Sequence, residues 1–305
     1  MSAANSISDA KPRRITKSFA LKGYVIASGL ASVGLVLLIF GLMAVQSLPA
    51  LTEAGGTLLT SRWNPAGGQY GILPMLYGTL VVMLIAMIFA VPIGIFAAIY
   101  IAETRSAKLR RLTRSALEIL AGIPSIVYGL IGIAYVSIWV ANGLDLQTGR
   151  LILTAGLILA VMILPTILSL TTDAILNVPR QVRENAQALG LYRYEVFKDA
   201  IWPVAKADIA GASLLALGRA LGETMAVMLV IGSIDRLPQP IYNVLSSGQT
   251  ITSKLGREVG ESAFGSVHFS VLVLMSLILV TITVLLTAAS QHFFRRSNFV
   301  GGSND

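Results

Sequence analysis

The chain has 305 residues, of which 55% are hydrophobic and only 12% charged, against about 25% charged in a soluble domain; with a mean hydropathy of +0.76, this excludes an ordinary soluble domain and points to a membrane protein. The formal net charge of +8 raises the question of a nucleic-acid partner, which depends on where the basic residues sit. There is no cysteine, which excludes disulfides, thiolate metal sites and thiol catalysis, and the two histidines, His268 and His292, each end an apolar run, so no metal site and no cofactor is expected.

In chain order, six apolar runs reach the roughly 20 residues a helix needs to cross about 30 Å of hydrocarbon: 24–46, 73–101, 116–140, 151–170, 209–234 and 269–290. The expectation is an all-α integral membrane protein of six transmembrane helices. A tail over 1–23 precedes a transmembrane domain over 24–292, and a second tail covers 293–305. Lys11, Arg13, Arg14, Lys17 and Lys22 precede the first run, as they would in a signal peptide. Its apolar core exceeds the roughly 7–15 residues of a signal sequence and five more runs follow, so it reads as an uncleaved span. Pro92 bends the second run, which is long enough to tilt.

Lys and Arg alternate in density between connections. The N-terminal tail, the second loop and the fourth loop hold five each and the C-terminal tail two, against one, one and three in the other loops. Short cytoplasmic loops hold the excess, so both termini are expected in the cytoplasm. Topology then accounts for the basic balance, and no nucleic-acid partner is needed. In the third run, "GIPSIVYG", Pro124 frees a backbone carbonyl, and Ser125 and Tyr128 place hydroxyls at membrane depth. They can line a polar path, or Ser125 can bond its own helix. Glu118, near the cytoplasmic end of that run, reads as a paired interfacial residue.

The fourth loop, 172–208, is too long for a simple connector and reads as two short helices. Pro179 suits a helix start and Gly190 the turn between them. Val182, Ala186 and Leu189 recur at helical spacing, with Arg183, Glu184 and Gln187 on other faces. Such a pair either offers itself to a cytoplasmic partner or packs only on its own membrane domain.

The fifth run, "LALGRALGETMAVMLVIG", sets Arg219 and Glu223 among hydrocarbon side chains. About ten residues from the run's start, roughly 15 Å in, Arg219 falls near the bilayer midplane, where it costs at least about 2.5–3.5 kcal/mol. Two readings offset that cost. Arg219 and Glu223, at i and i+4, form an internal ion pair; or their face lines a substrate path, where the guanidinium fork matches two oxygens of a tetrahedral oxyanion. On the second reading Glu223 orients Arg219 and weakens the site enough for the anion to leave. Gly218, Gly222 and Ala226 follow a small-xxx-small spacing that admits a close helix neighbour. In the fifth loop, 235–268, Pro238 and Pro240 stop the preceding helix, and 251–259 makes a short helix returning to the surface.

Glu184, Ala186, Gly190 and Pro203 stand at the spacing of the E-A-A-x-x-x-G coupling loop with its later proline, found in membrane subunits of bacterial ABC importers. With "AGIPSIVYGLIG" and "GRALGETMAVMLVIG", the chain resembles the PstC-type phosphate permeases of that group over roughly 73–291. Asn185 replaces the first alanine, and Ala200 and Trp202 stand where the pattern prefers isoleucine and leucine. The resemblance implies an ABC importer (type I) permease fold in a bacterial cytoplasmic membrane. It implies a paired PstA-like permease subunit, two PstB-like ATP-binding subunits and a PstS-like extracytoplasmic phosphate-binding protein, docked on the first and fifth loops. Arg183, Glu184, Ala186, Ala188, Gly190 and Pro203 would couple to the ATPase, and Arg219, Glu223, Ser125 and Tyr128 would line the substrate path. The chain has no G-x-x-x-x-G-K-[ST] segment, so no P-loop holds nucleotide and energy must come from a partner or a gradient. The expected activity is therefore not enzymatic but phosphate translocation by alternating access. An ion-coupled secondary transporter, or an ABC permease for sulfate or molybdate, is the alternative.

Overall fold

The computed structural model describes residues 13–104 and 106–300, with the side chains of 13–21, 107, 109 and 293–300 left aside. Much of what the expected tails and orientation rest on lies outside the described residues and side chains: Lys11, Arg105, and the side chains of Arg13, Arg14, Lys17, Arg295 and Arg296.

Most of each apolar run is helical, which satisfies its backbone polar groups within the segment. The elements are α1 (Arg13–Glu53), α2 (Gly55–Leu58), a hairpin of β1 (Trp63–Asn64) and β2 (Gln69–Tyr70), α3 (Leu73–Glu103) and α4 (Ala107–Gly122). Then come α5 (Ser125–Ile131), a π turn (Gly132–Val136) and α6 (Ser137–Gly143) as one continuous helix, α7 (Ile152–Leu176), α8 (Arg180–Ala188), and α9 (Arg193–Glu195) with a π turn (Val196–Ile201) leading into α10 (Trp202–Leu221). Short α11 (Met225–Val230) and α12 (Ile251–Glu258) precede the long α13 (Val267–Val300). Among the described residues six helices are long and apolar enough to span a membrane: Lys22–Glu53, Leu73–Glu103, Ser125–Gly143, Ile152–Leu176, Arg193–Leu221 and Val267–His292.

Three expectations need correction. The third span begins at Ser125 and not at 116, because Pro124 separates it from α4, an amphipathic helix of its own. The fifth span is not continuous over 209–234: it ends at Leu221, and 222–224 are non-helical before α11. The fourth loop is shorter than 172–208, since α7 runs to Leu176 and helix resumes at Arg193. Pro203 stands just after the π turn Val196–Ile201, where the i→i−4 ladder is already altered, and does not interrupt the helix.

Helices α3 and α7 form the centre and approach closely because glycines face bulky side chains. A Cβ on Gly94 would lie 2.7 Å from Ile167, and one on Gly156 2.5 Å from Ile85. Around them α5, α10 and α11 complete one apolar cluster that includes Val82, Ile163, Ala216 and Val230. A second joins α1, the hairpin, α12 and α13 at one end, and a third joins α3, α7, α8 and α10 at the other. Gly218 lets α10 meet Thr283 and Thr287 of α13. The exposed apolar rows of α1 are those of a helix whose solvent is lipid.

Candidate functional site

Arg219 occupies the last turn of α10, and its Nη1 donates to Oγ1 of Thr166 on α7 at 3.0 Å. Thr166 is 14 positions from the start of α7 and 10 from its end, about 21 and 15 Å, which places the guanidinium at mid-depth by a route independent of its own helix. Arg219 is exposed on the isolated subunit. Its one described side-chain partner is a neutral hydroxyl, and among the described residues no ion pair joins it to Glu223. The reason is local: the i,i+4 geometry fails once the helix ends at Leu221, with Gly222 N–H turning to Arg219 O and Glu223 N–H to Ala220 O, both at 3.2 Å.

A break at mid-depth is tolerable only where protein or a cavity covers it. Here α12 covers it from the other side. The Thr252 hydroxyl donates to Glu223 O at 2.8 Å, Ile251 N–H donates to the Thr79 hydroxyl at 3.0 Å, and Thr250 caps α12 by accepting from Ser253 N–H at 3.2 Å. Gly78 admits the segment before α12, since a Cβ there would sit 2.0 Å from Gln249 O. Glu223, Thr79, Thr250 and Thr252 line a narrow cavity at this junction. The helix expected over 251–259 thus exists, but instead of lying in a solvent-facing loop it is re-entrant, with residues 251–254 buried.

The most buried charge belongs to that helix and was missed in the sequence. Lys254, its side chain 2% exposed, places Nζ 2.5 Å from Asp235 and 2.5 Å from Glu258, and 4.6 Å over the Trp63 ring. Glu258 also meets His268 Nε2 at 3.0 Å, and His268 stacks on Tyr70. The signal was there: Lys254 and Glu258 at i,i+4 on an expected helix, with Asp235 just past the fifth span.

Of the other expected path residues, Tyr128 donates its hydroxyl to Leu120 O at 2.9 Å, bracing the turn between α4 and α5. Ser125 stands in the first turn of α5, half-buried. The described contacts bring neither to Arg219.

The coupling set divides by face. Arg183 turns inward, its Nη1 2.8 Å from Glu103 Oε1 and its Nη2 donating to Ile175 O at 3.0 Å, and Ala186 is buried beside it. Arg193 donates to Glu103 O at 2.6 Å, so one acidic residue at the end of α3 holds both arms of the α8–α9 turn. Glu184, Ala188 and Gly190 face outward, Glu184 pairing with Arg180 at 2.8 Å, and Pro203 is exposed at the start of α10. Gly190 has φ +81°, the left-handed conformation that ends α8. On either side of it Leu189, Tyr192 and Tyr194 are 82%, 80% and 71% exposed, an apolar outer face that packing on the membrane domain leaves uncovered.

Comparison with known proteins fits this architecture. The inward-facing methionine ABC transporter MetNI superposes with a TM-score of 0.53 at 17% identity, covering 74% of this chain and 94% of that one. An amino acid ABC transporter crystallised with histidines gives 0.51 at 16%, covering 74% and 92%. In sequence the chain is 36% identical to the phosphate transport system permease protein PstC of Mesorhizobium japonicum, covering 96% of this chain and 95% of that one. It is 34% identical to PstC of Haemophilus influenzae (82% and 84%) and 32% to the probable ABC transporter permease protein YqgH of Bacillus subtilis (87% and 86%). The family of binding-protein-dependent transport system inner membrane components matches residues 90–298. A match over 90–298, relatives above 30% identity covering most of both chains, and a six-span ABC importer permease fold together place this chain in that family.

Proposed function

We propose that the chain is the permease subunit of an ATP-driven importer of inorganic phosphate in a bacterial cytoplasmic membrane, with both termini cytoplasmic. The observation that carries the reading is Arg219: a guanidinium at mid-depth, held by a neutral hydroxyl and open on the face of the isolated subunit. Among the described residues no acidic group pairs with it, and hydrocarbon balances a mid-depth charge poorly. A paired PstA-like permease subunit closing over that face would turn it into a path in which the two N–H edges of Arg219 grip phosphate oxygens. Glu223, at the helix break, would accept a hydrogen bond from protonated phosphate and keep the site weak. Relatives described as phosphate permeases support the choice of substrate.

On this reading the outward face of the α8–α9 turn, with Glu184, Ala188 and Gly190, docks on one of two PstB-like ATP-binding subunits. Glu103 ties the same turn through Arg183 and Arg193 to α3, so a rotation at the ATPase reaches the spans without being absorbed. A PstS-like phosphate-binding protein delivers substrate at the end that carries the hairpin and α12. Gly190→Pro cannot hold φ +81°, because proline fixes φ near −65°. It should leave ATP hydrolysis running while phosphate uptake falls at least about tenfold, as should Glu184→Lys. Full coupling in both would remove the assigned role from the turn.

The deciding experiment is reconstitution of the complete complex with its binding protein in vesicles. Labelled phosphate should accumulate only with ATP, and excess sulfate or molybdate should not compete. Uptake driven by a proton or sodium gradient without the ATPase subunits would overturn the ABC reading; competition by sulfate would overturn the substrate.

A further inference from the structure

The groove between α4 and α7 is not used by the site described so far. On α4, Arg110, Thr113, Arg114, Leu117, Glu118 and Ala121 follow one helical face, and that face lines two adjoining clefts against the cytoplasmic half of α7. The facing stripe on α7 is polar in a largely apolar span: Thr166, Ser169, Thr172 and Asp173. The inner cleft encloses about 300 Å³ and contains Thr166, the residue that holds Arg219, together with Ser169, Arg114 and Glu118. The outer cleft shares Arg114 and Ser169 and opens toward Asp173 and Arg110.

The basic residues of the groove differ in what occupies them. Arg110 donates to Thr104 O at 3.2 Å and Ala102 O at 3.4 Å, capping the last carbonyls of α3. Among the described residues Arg114 is paired with the exposed Glu118 alone, at 3.5 Å, both side chains more than two-thirds open to solvent. An exposed pair of this kind is worth about 0.2–1 kcal/mol, so Arg114 can exchange its carboxylate for another oxyanion. From Thr166 to Ser169 the rise along α7 is about 4.5 Å, one step of a tetrahedral anion.

Resting on the proposed phosphate import, we infer that this groove is the inward half of the anion path. Arg114 with Ser169 forms a second, weak oxyanion site that receives phosphate from Arg219 and releases it to the cytoplasm. Mid-depth Arg219 binds in a desolvated setting and Arg114 in a screened one, so affinity falls along the groove and release needs no further device. Glu118 competes with the departing anion for the same guanidinium and hastens its exit.

The chain has no native cysteine, which makes the test direct. The full complex, its other subunits freed of cysteine, is prepared without nucleotide in nanodiscs of zwitterionic lipid. Ser169→Cys is then modified with a negatively charged or a positively charged thiosulfonate reagent, and Ala121→Cys across the groove is a second reporter should the first fail to assemble. The anionic reagent should react at least about fivefold faster, the effect of one charge near 4 Å in water. Arg114→Gln should erase the preference, Arg111→Gln, whose residue lines neither cleft, should not, and millimolar inorganic phosphate should slow the reaction. Charge-blind labelling unaffected by Arg114→Gln would overturn the inference. So would protection that appears only with anionic lipid and not with phosphate, which assigns the groove to a lipid headgroup. If the wild-type complex takes up phosphate with ATP yet labels without charge preference, the inference alone fails; if it takes up none, the proposed function fails first.

Discussion

Arg219→Ala should reduce ATP-dependent phosphate uptake by at least about a hundredfold while the subunit still inserts and assembles with its partners. The size follows from losing charge-assisted hydrogen bonds to the anion, worth roughly 1.5–3 kcal/mol each. That assembly should survive follows from the structure. The guanidinium's described side-chain partner is the Thr166 hydroxyl at 3.0 Å, so its removal strands no buried charge. It also relieves an insertion cost of about 2.5–3.5 kcal/mol, and a mid-membrane alanine is if anything easier to place. Arg219→Lys sharpens the test, because an ammonium keeps the charge but lacks the planar fork, and should recover only a small part of the uptake. Uptake assays run beside co-purification of the complex decide the matter. Loss of assembly in Arg219→Ala would make the residue a structural strut; full recovery in Arg219→Lys would reduce its role to net field.

The spans were legible because most of them are long apolar runs, a signal that tertiary context rarely overrides, and their bounds were misread at the third and fifth, where Pro124 and residues 222–224 break the helix. The turn at Gly190 was legible for a different reason: few residues other than glycine adopt φ +81° at a helix end. The break at 222–224 was not. "LGETM" holds no proline and lies between two apolar stretches, and the broken end is held by the re-entrant α12, whose Thr252 hydroxyl donates to Glu223 O from 29 positions away. That break also shows why the Arg219–Glu223 spacing suggested an ion pair that does not form: the i,i+4 rule presumes the very helix that is interrupted there. A broken helix alone would suit a secondary transporter equally well, and it is the family that decides otherwise. The stripe of Thr166, Ser169, Thr172 and Asp173 was visible in the sequence but split by the assumed end of the fourth span at 170. Pro124 was noted as freeing a carbonyl, while its stronger effect is to detach α4 and create the groove that the stripe faces.

Lys254→Met should lower the melting temperature of the purified complex by roughly 6–20 °C, or prevent its isolation. Nζ lies between Asp235 and Glu258 with both contacts at 2.5 Å, and the lysine side chain is 2% exposed while the carboxylates are 28% and 25%. Removing the cation leaves two acidic groups facing each other with little solvent to separate them. Breaking a buried pair from one side costs about 3–5 kcal/mol, and about 2–4 °C follows each kcal/mol in a domain of some 150–250 residues. Methionine keeps the length and the contact with Trp63, so the loss reports charge and not a cavity. The damage should also be local. The cluster joins the β1–β2 hairpin, the segment after α11, α12 and the start of α13, so hydrogen exchange should rise first in α12 and not in α3 or α7. Combining Lys254→Met with Asp235→Asn and Glu258→Gln removes the stranded charges and should restore most of the stability, because a neutral set of similar shape has no repulsion to relieve. If the single and triple variants melt alike, the carboxylates reach solvent well enough to be indifferent to the lysine. If the triple variant recovers stability but not uptake, the ion cluster does more than hold α12 in place, and transport needs its charges as well as its packing.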